Sequence, residues 1–255
     1  MPFVNSTSLL MRVHMRGVTE NVYVGLSEFS DMAFLLHFLR QGDTFVDVGA
    51  NVGAYTILAA GGVGSRVIAL EPIASTFGDL LRNIALNGLN ERVVARMIAA
   101  GDRLGSVSFT NGPESTKNHV SVPGDNEPVV VVQIETLNAI LEREDPSLIK
   151  VDVEGFEMQV MRGADEVLKR ENLLAIIIED NGSALRYSFE DAALATVIES
   201  FGFVRYTYEP FSRVLTEKRG TQAWRSRNSL YVREPALVLD RLRAAPPFTV
   251  NGYVI

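Results

Sequence analysis

The sequence predicts an α/β fold: a doubly wound, mostly parallel sheet with helices on both faces, preceded by an N-terminal hairpin and helix. Three observations predict it. Strand-length apolar runs alternate with helix-period stretches from Thr44 to Tyr208. The run Leu173 to Ile178 is apolar at every position, as a strand covered on both faces requires. Residues 43–56 set an apolar strand (Thr44 to Val48), a glycine-bracketed turn (Gly49 to Gly53) and a helix start at Ala54 in immediate succession. An open α/β sheet holds ligands just beyond such a strand end.

Taken in order, Leu9 to Met15 and Asn21 to Val24 read as a hairpin around Gly17. Ser27 then reads as the cap of a helix carrying Asp31 and the stripe Met32, Leu35, Leu36 and Leu39, closed by Gly42. The alternation continues as strand 44–48, helix 54–60, strand 66–70, helix 74–87 and strand 92–98, with Asn87-Gly88 as a helix stop. Strands at 106–110 and 129–134 flank a Gly-, Pro-, Ser- and Asn-rich stretch, 111–128, long enough to serve as a functional loop. Helix 135–143, strand 148–153, helix 157–169, strand 173–179, helix 189–201 and strands 203–208 and 229–233 follow. The expected organisation is an extension over 1–42, a ligand-binding domain over 43–234 and a proline-containing tail over 235–255.

Composition narrows the function. Hydrophobic residues make up 47% and charged residues 22%, enough apolar material for a sizeable core. With 31 acidic against 24 basic residues the net charge is −7, and the lack of any long Lys/Arg cluster argues against a nucleic-acid partner. No cysteine is present, so disulfides and thiol nucleophiles are excluded. The first residues carry no basic-then-apolar leader, and no apolar run approaches the ~20 residues of a membrane span. These features lead to the expectation of a soluble, cytoplasmic protein without a membrane partner.

The turn at Gly49 to Gly53 suits a small charged ligand: Gly49 permits the sharp turn, Gly53 a close backbone approach, and the helix start offers free N–H groups. Glu71 ends the next strand 24 positions after Asp47, where a carboxylate can accept both hydroxyls of a ribose. A dinucleotide fingerprint would need Gly-x-Gly-x-x-Gly, whereas this chain has Gly49-Ala50-Asn51-Val52-Gly53 and no Gly-x4-Gly-Lys phosphate loop. An NAD-dependent oxidoreductase is therefore the weaker reading, further weakened by the lack of a Tyr-x3-Lys dyad. A non-catalytic binding protein of the same fold is a third.

The segment Asp47 to Gly53 resembles motif I of class I S-adenosylmethionine (SAM)-dependent methyltransferases, and Glu71-Pro72 resembles the acidic ribose-binding position of that Rossmann-like fold. Together with Asn83-x3-Asn87-Gly88 and the block Ile149-Lys150-Val151-Asp152-Val153-Glu154-Gly155-x-Glu157, the series is similar to the FkbM family of methyltransferases over residues 43–180. The resemblance implies that Asp47, Gly49, Ala50, Asn51, Gly53 and Asp152 surround the methionine part of SAM and that Tyr55 and Thr56 line its pocket. It also implies that Glu71 and Pro72 sit at the ribose and Ala100 near the adenine.

Lys150, Asp152 and Glu154 alternate on one strand, which period-two geometry sets on one face. Charges at the mouth of an apolar strand are costly unless paired or used. Asp152 and Glu154 are the candidate catalytic acids, with His119, in the long loop, as a third candidate base whose ordinary pKa suits neutral pH. The leading reading contains no metal. A secondary one places a divalent cation such as magnesium at Asp152, Glu179 and Asp180, since oxygen ligands suit a hard ion. The expected acceptor is a small molecule or glycosyl hydroxyl, selected by loop 111–128 and the N-terminal segment. The apolar end of the tail leaves room for a homo-oligomer.

Overall fold

A computed structural model describes residues 1–10, 21, 24–112, 117–187, 191–218 and 228–255. Among these, eight strands form the main sheet: β1 (Thr44–Val48), β2 (Arg66–Leu70), β3 (Val93–Arg96), β7 (Leu148–Val151), β8 (Ala175–Glu179), β9 (Val204–Glu209), β10 (Val214–Glu217) and β11 (Asn228–Val232). Their spatial order is β10-β9-β11-β8-β7-β1-β2-β3. From β3 to β8 every pairing is parallel. β11 enters antiparallel between β8 and β9, and β10 adds antiparallel to β9. This is the doubly wound, mostly parallel sheet that the sequence predicts, with one reversed strand, β11, inserted between β8 and β9.

Side-chain alternation divides the core into two layers. Phe45 of β1 and Ile177 of β8 face one cluster, while Val46, Val48, Ile176 and Ile178 face the other. The first cluster is covered by α1 (Phe29–Phe38), α2 (Ala54–Ile57), α3 (Ala74–Leu86) and α8 (Pro235–Ala244). The second is covered by α4 (Leu137–Ile140), α5 (Glu157–Arg162), α6 (Asp165–Leu168) and α7 (Asp191–Glu199). Both faces of the central strands are covered, which is why β8 reads as an almost continuous apolar run. A third, smaller cluster lies under a separate sheet of β4 (Ala99–Ala100), β5 (Gly105–Thr110) and β6 (Val129–Glu135), ordered β4-β6-β5.

Several elements differ from their sequence expectation for identifiable reasons. The strand expected over 92–98 ends at Arg96, and the chain passes to the small sheet at Ala99. α2 widens into a π-helical turn over Leu58–Val63. A Cβ at Gly61 would stand 2.6 Å from the Thr7 side chain, so this turn is moulded against the N-terminal segment. The helix expected over 157–169 is broken between Arg162 and Asp165. The helix expected over 135–143 shortens to one turn, capped by the Thr136 hydroxyl, which accepts from the Ala139 N–H at 3.2 Å.

The hairpin expected over Leu9 to Met15 and Asn21 to Val24 lies mostly outside the described residues; Asn21 and Val24 themselves are helical rather than extended. The α1 cap position is Glu28, one residue beyond Ser27. Residues 235–255 fold as α8 and a small hairpin of β12 (Thr249–Val250) and β13 (Tyr253–Val254), with Val250 bridging to Val4. No helix among the described residues is long and apolar enough to cross a membrane.

The helix break falls at a position where only glycine fits. A Cβ on Gly163 would lie 1.9 Å from the Gly101 carbonyl oxygen and 3.2 Å from the Thr136 side chain. Gly163→Ala is therefore expected to lower unfolding stability by about 2–4 kcal/mol, as overpacking against rigid backbone does. Urea denaturation measures it, and a parental midpoint would remove the close contact from the account.

Candidate active site

The carboxyl ends of β1, β2, β7 and β8 converge on one cavity of 840 Å³, within the range of small-molecule sites. The turn after β1 is built by backbone constraint. Gly49 and Ala50 both donate their N–H to the Leu70 carbonyl, at 3.0 and 2.9 Å. Gly49 has φ +79°, and a Cβ there would fall 1.9 Å from the Asp152 carbonyl oxygen. Only glycine lets the β1 exit lie against the β7 exit. Asn51, at φ 49°, accepts the Val52 N–H on its own side chain at 2.8 Å. Asn83 of α3 then ties the Val52 carbonyl at 2.8 Å. At Gly53 the missing Cβ makes room on the core side, where one would stand 2.6 Å from the Leu80 side chain.

Glu71 is clamped in place. Its two oxygens accept the Asn51 and Ile73 N–H groups at 3.1 and 2.9 Å. Burial nevertheless pushes its carboxyl up to about 7, against those two backbone bonds. Asp47 is fully buried and accepts from the Thr56 hydroxyl at 2.6 Å; burial raises its pKa as well, with Lys150 opposing.

The cavity wall carries seven carboxylates (Glu28, Asp31, Asp47, Glu71, Asp152, Glu154 and Glu179) against two lysines, Lys117 and Lys150. Lys150 is buried, with Nζ 2.7 Å from Asp152 Oδ2 and 4.7 Å from the centre of the Tyr55 ring. Burial works against its charge, but Asp152, Glu28 and Asp47 outweigh burial and hold its pKa above the ordinary lysine value. A second corner is polar throughout. The Tyr55 hydroxyl donates to Glu28, and Asn228 Nδ2 donates to Glu28 at 2.9 Å and Asp31 at 3.2 Å. Burial, with Glu28 beside it, pushes Asp31 up to about 6.

The turn after β7 is held from below. Glu157 accepts the Val153 and Gly155 N–H groups, both at 3.1 Å, and burial pushes it up to about 7. Glu154 (φ 54°) and Gly155 (φ 104°) both take left-handed backbone. Arg186 Nη1 donates to the Glu154 carbonyl at 2.6 Å. One ligand oxygen each from Asp152, Glu154 and Glu179 lies within 4.8 Å of the others. Burial, then Asp152 and Glu154, raise the Glu179 carboxyl well above its ordinary value.

Of the residues singled out in the sequence, the cavity wall includes Asp47, Gly49, Ala50, Asn51, Tyr55, Glu71, Pro72, Ala100, Asp152, Glu154 and Glu179. Gly53, Thr56, Asp180 and His119 do not line it. Thr56 acts behind the wall by fixing Asp47. Asp180 points to the opposite side of β8, where it accepts from Arg205 at 2.9 Å and Ser229 at 2.8 Å; Glu154 stands in its place in the acidic trio. The His119 ring is turned inward, with Nδ1 2.8 Å from the Lys117 carbonyl and Nε2 3.3 Å from Asp125. Sequence reasoning missed Glu28 and Asn228 as wall residues and took Asp31 only as part of the first helix. Glu28 and Asp31 stand three apart at the start of α1, a spacing that puts both on one side.

Residues 47–206 match the family described as the methyltransferase FkbM domain. The chain belongs to the FkbM methyltransferase family. Its similarity to individual relatives is modest. It is 25% identical over 172 residues to "Methyltransferase sdnD" of Sordaria araneosa, covering 54% of this chain and 66% of that one. It is 27% identical over 188 residues to "Methyltransferase 1" of Beauveria bassiana, covering 63% and 72%. It is 26% identical over 145 residues to "Hexuronic acid methyltransferase AglP" of Haloferax volcanii, covering 56% and 59%. The chain thus spans about two thirds of the length of these relatives. The FkbM match takes in the β1, β2, β7 and β8 ends, but Glu28, Asp31 and Asn228 lie outside it.

The clamped Glu71 carries a pH signature. Its folded pKa of about 7 exceeds the ordinary 4.5, so its contribution to stability is complete below pH 4.5 and is lost as pH rises to 7. His37, pushed down to about 4 chiefly by burial, acts in the opposite sense, so a variant is the proper reference. Glu71→Gln mimics the protonated acid. Its stability relative to the parent chain is expected to rise by about 1–3 kcal/mol between pH 5 and pH 7.5 in ligand-free urea titrations. A difference that stays flat with pH would contradict the assignment.

Proposed function

We propose that this chain is a SAM-dependent O-methyltransferase acting on a hydroxyl of a sugar, glycoside or hydroxylated natural product. The observation that carries the reading is the charge of the cavity: seven carboxylates against two lysines, gathered at the ends of β1, β2, β7 and β8 and the start of α1. SAM brings a sulfonium and an ammonium into that wall, and two positive charges suit it where a pyrophosphate would be repelled. When bound, the cofactor supplies a methyl group on sulfur, and the sulfur keeps the electron pair of the broken C–S bond as the acceptor oxygen takes the methyl.

The residues divide the work. Glu71 keeps one lone pair of each oxygen free of its backbone donors, enough to accept two ribose hydroxyls. Asp152, held through Oδ2 by Lys150, stands beside the methionine part of the cofactor. Ala100 borders the adenine side, and Asp47 stands under the methionine side as a fixed acceptor. Glu154, half-buried on the left-handed turn it shares with Gly155, takes the acceptor's proton. Lys117, Asn118 and Val120 from one loop, with Ser27 to Met32 opposite, frame the acceptor. Because Glu28, Asp31 and Asn228 lie outside the family match, acceptor choice belongs to that corner; its carboxylates suit hydroxyl donors. The name of AglP, a hexuronic acid methyltransferase, supports a sugar acceptor.

Isothermal titration is expected to show SAM and its demethylated product binding, and NAD not binding; tight NAD binding without SAM binding would overturn the reading. Glu71→Ala is expected to weaken SAM about 10–100-fold, the worth of hydrogen bonds to a charged group. Glu154→Gln is expected to lower kcat by about 10²-fold or more while leaving SAM affinity intact. Methyl transfer to a panel of hexuronic acids, neutral sugars and phenols, read by mass spectrometry, identifies the acceptor class.

A further inference from the structure

We infer that Asp152, Glu154 and Glu179 form a binding site for one hard divalent cation at the acceptor end of the cavity. Three of their oxygens, one from each side chain, lie within 4.8 Å of one another. Among the described residues no other group of His, Asp and Glu side chains brings three such atoms together. A calcium-sized ion with bonds of about 2.3–2.6 Å separates opposite ligands by about 4.6–5.2 Å, so this trio can hold it with little movement. Magnesium, with bonds of about 2.0–2.1 Å, would draw the carboxylates inward.

A second observation points to a ligand. Glu179 is only 7% exposed, and its Oε2 is buried without a hydrogen-bond partner, while Oε1 accepts from Asn181 Nδ2 at 2.7 Å. A buried carboxylate oxygen with no donor is costly to keep, and a cation removes that cost. The donor set is also of the right kind: oxygen only, with neither sulfur nor imidazole, as hard cations prefer. Lys150 occupies Asp152 Oδ2 and leaves Oδ1 for the ion.

Binding of the ion is independent of methyl transfer; only its service to an acceptor oxygen rests on the function proposed above. The test is titration of the metal-stripped full chain with CaCl2, MnCl2 and MgCl2 by calorimetry, with electron paramagnetic resonance for manganese and a parallel SAM titration. One saturable site per chain is expected. Glu179→Gln and Glu154→Gln are each expected to weaken it at least about tenfold, because affinity follows ligand charge. Glu166→Gln, an exposed residue outside the cavity wall and paired with Lys169, is expected to leave it unchanged. Non-saturating titrations, or parental affinity in variants that circular dichroism shows to be folded, would overturn the site. Should Glu179→Gln not fold, Glu154→Gln, on a partly exposed turn, decides. Cation binding without SAM binding would sink the proposed function and leave the ion site standing; SAM binding without cation binding would do the reverse.

Discussion

The ammonium of Lys150 is the charge on which the cavity depends. It is 3% exposed, bonded to Asp152, stacked over Tyr55 and within electrostatic reach of Glu28 and Asp47. Burying several carboxylates in one space is prohibitive unless they are paired or protonated. One lysine cannot neutralise them all. The remainder shows up as carboxyls that hold their protons to unusually high pH, Asp47, Glu71 and Asp31 among them. A cation bound among them would favour their charged forms, which would link its binding to pH and to stability.

Much of this was legible in the sequence, because much of it is local. Alternation along β1 and β8, the apolar strand 173–178 and the Gly49 turn each follow from period and glycine geometry within a few residues. The strand ends that meet at the cavity follow from the doubly wound order. What was illegible depends on contacts distant in the chain. Asn228 reaches Glu28 across 200 positions, and nothing near either residue announces it. Gly53 and Gly49 look alike as a pair of turn glycines, yet one faces Leu80 and the other the Asp152 carbonyl. Glu179 and Asp180 were read as one acidic cluster, although neighbours on a strand point to opposite faces; the alternation that placed the core residues separates these two as well.

The cavity has two origins within one chain. The wall formed by Asp47, Glu71 and Asp152 is built by the segment shared with the FkbM family. The opposite corner, Glu28 and Asp31 with Asn228, comes from the chain before and after that segment. Such a division separates a wall fixed by the parallel strand ends from a corner contributed by the start of α1 and by β11.

The position of β11 has a consequence for how the molecule is made. It is the last strand of the main sheet in the chain, yet it sits between β8 and β9, pairing with both. During synthesis β8 emerges from the ribosome long before its neighbour exists, and its apolar edge must wait uncovered. Asn228, the first residue of β11, arrives at the same moment, so the active-site corner and the sheet close together. A nascent chain stalled anywhere before β11 carries an open sheet edge and half a site, the kind of intermediate on which chaperones act.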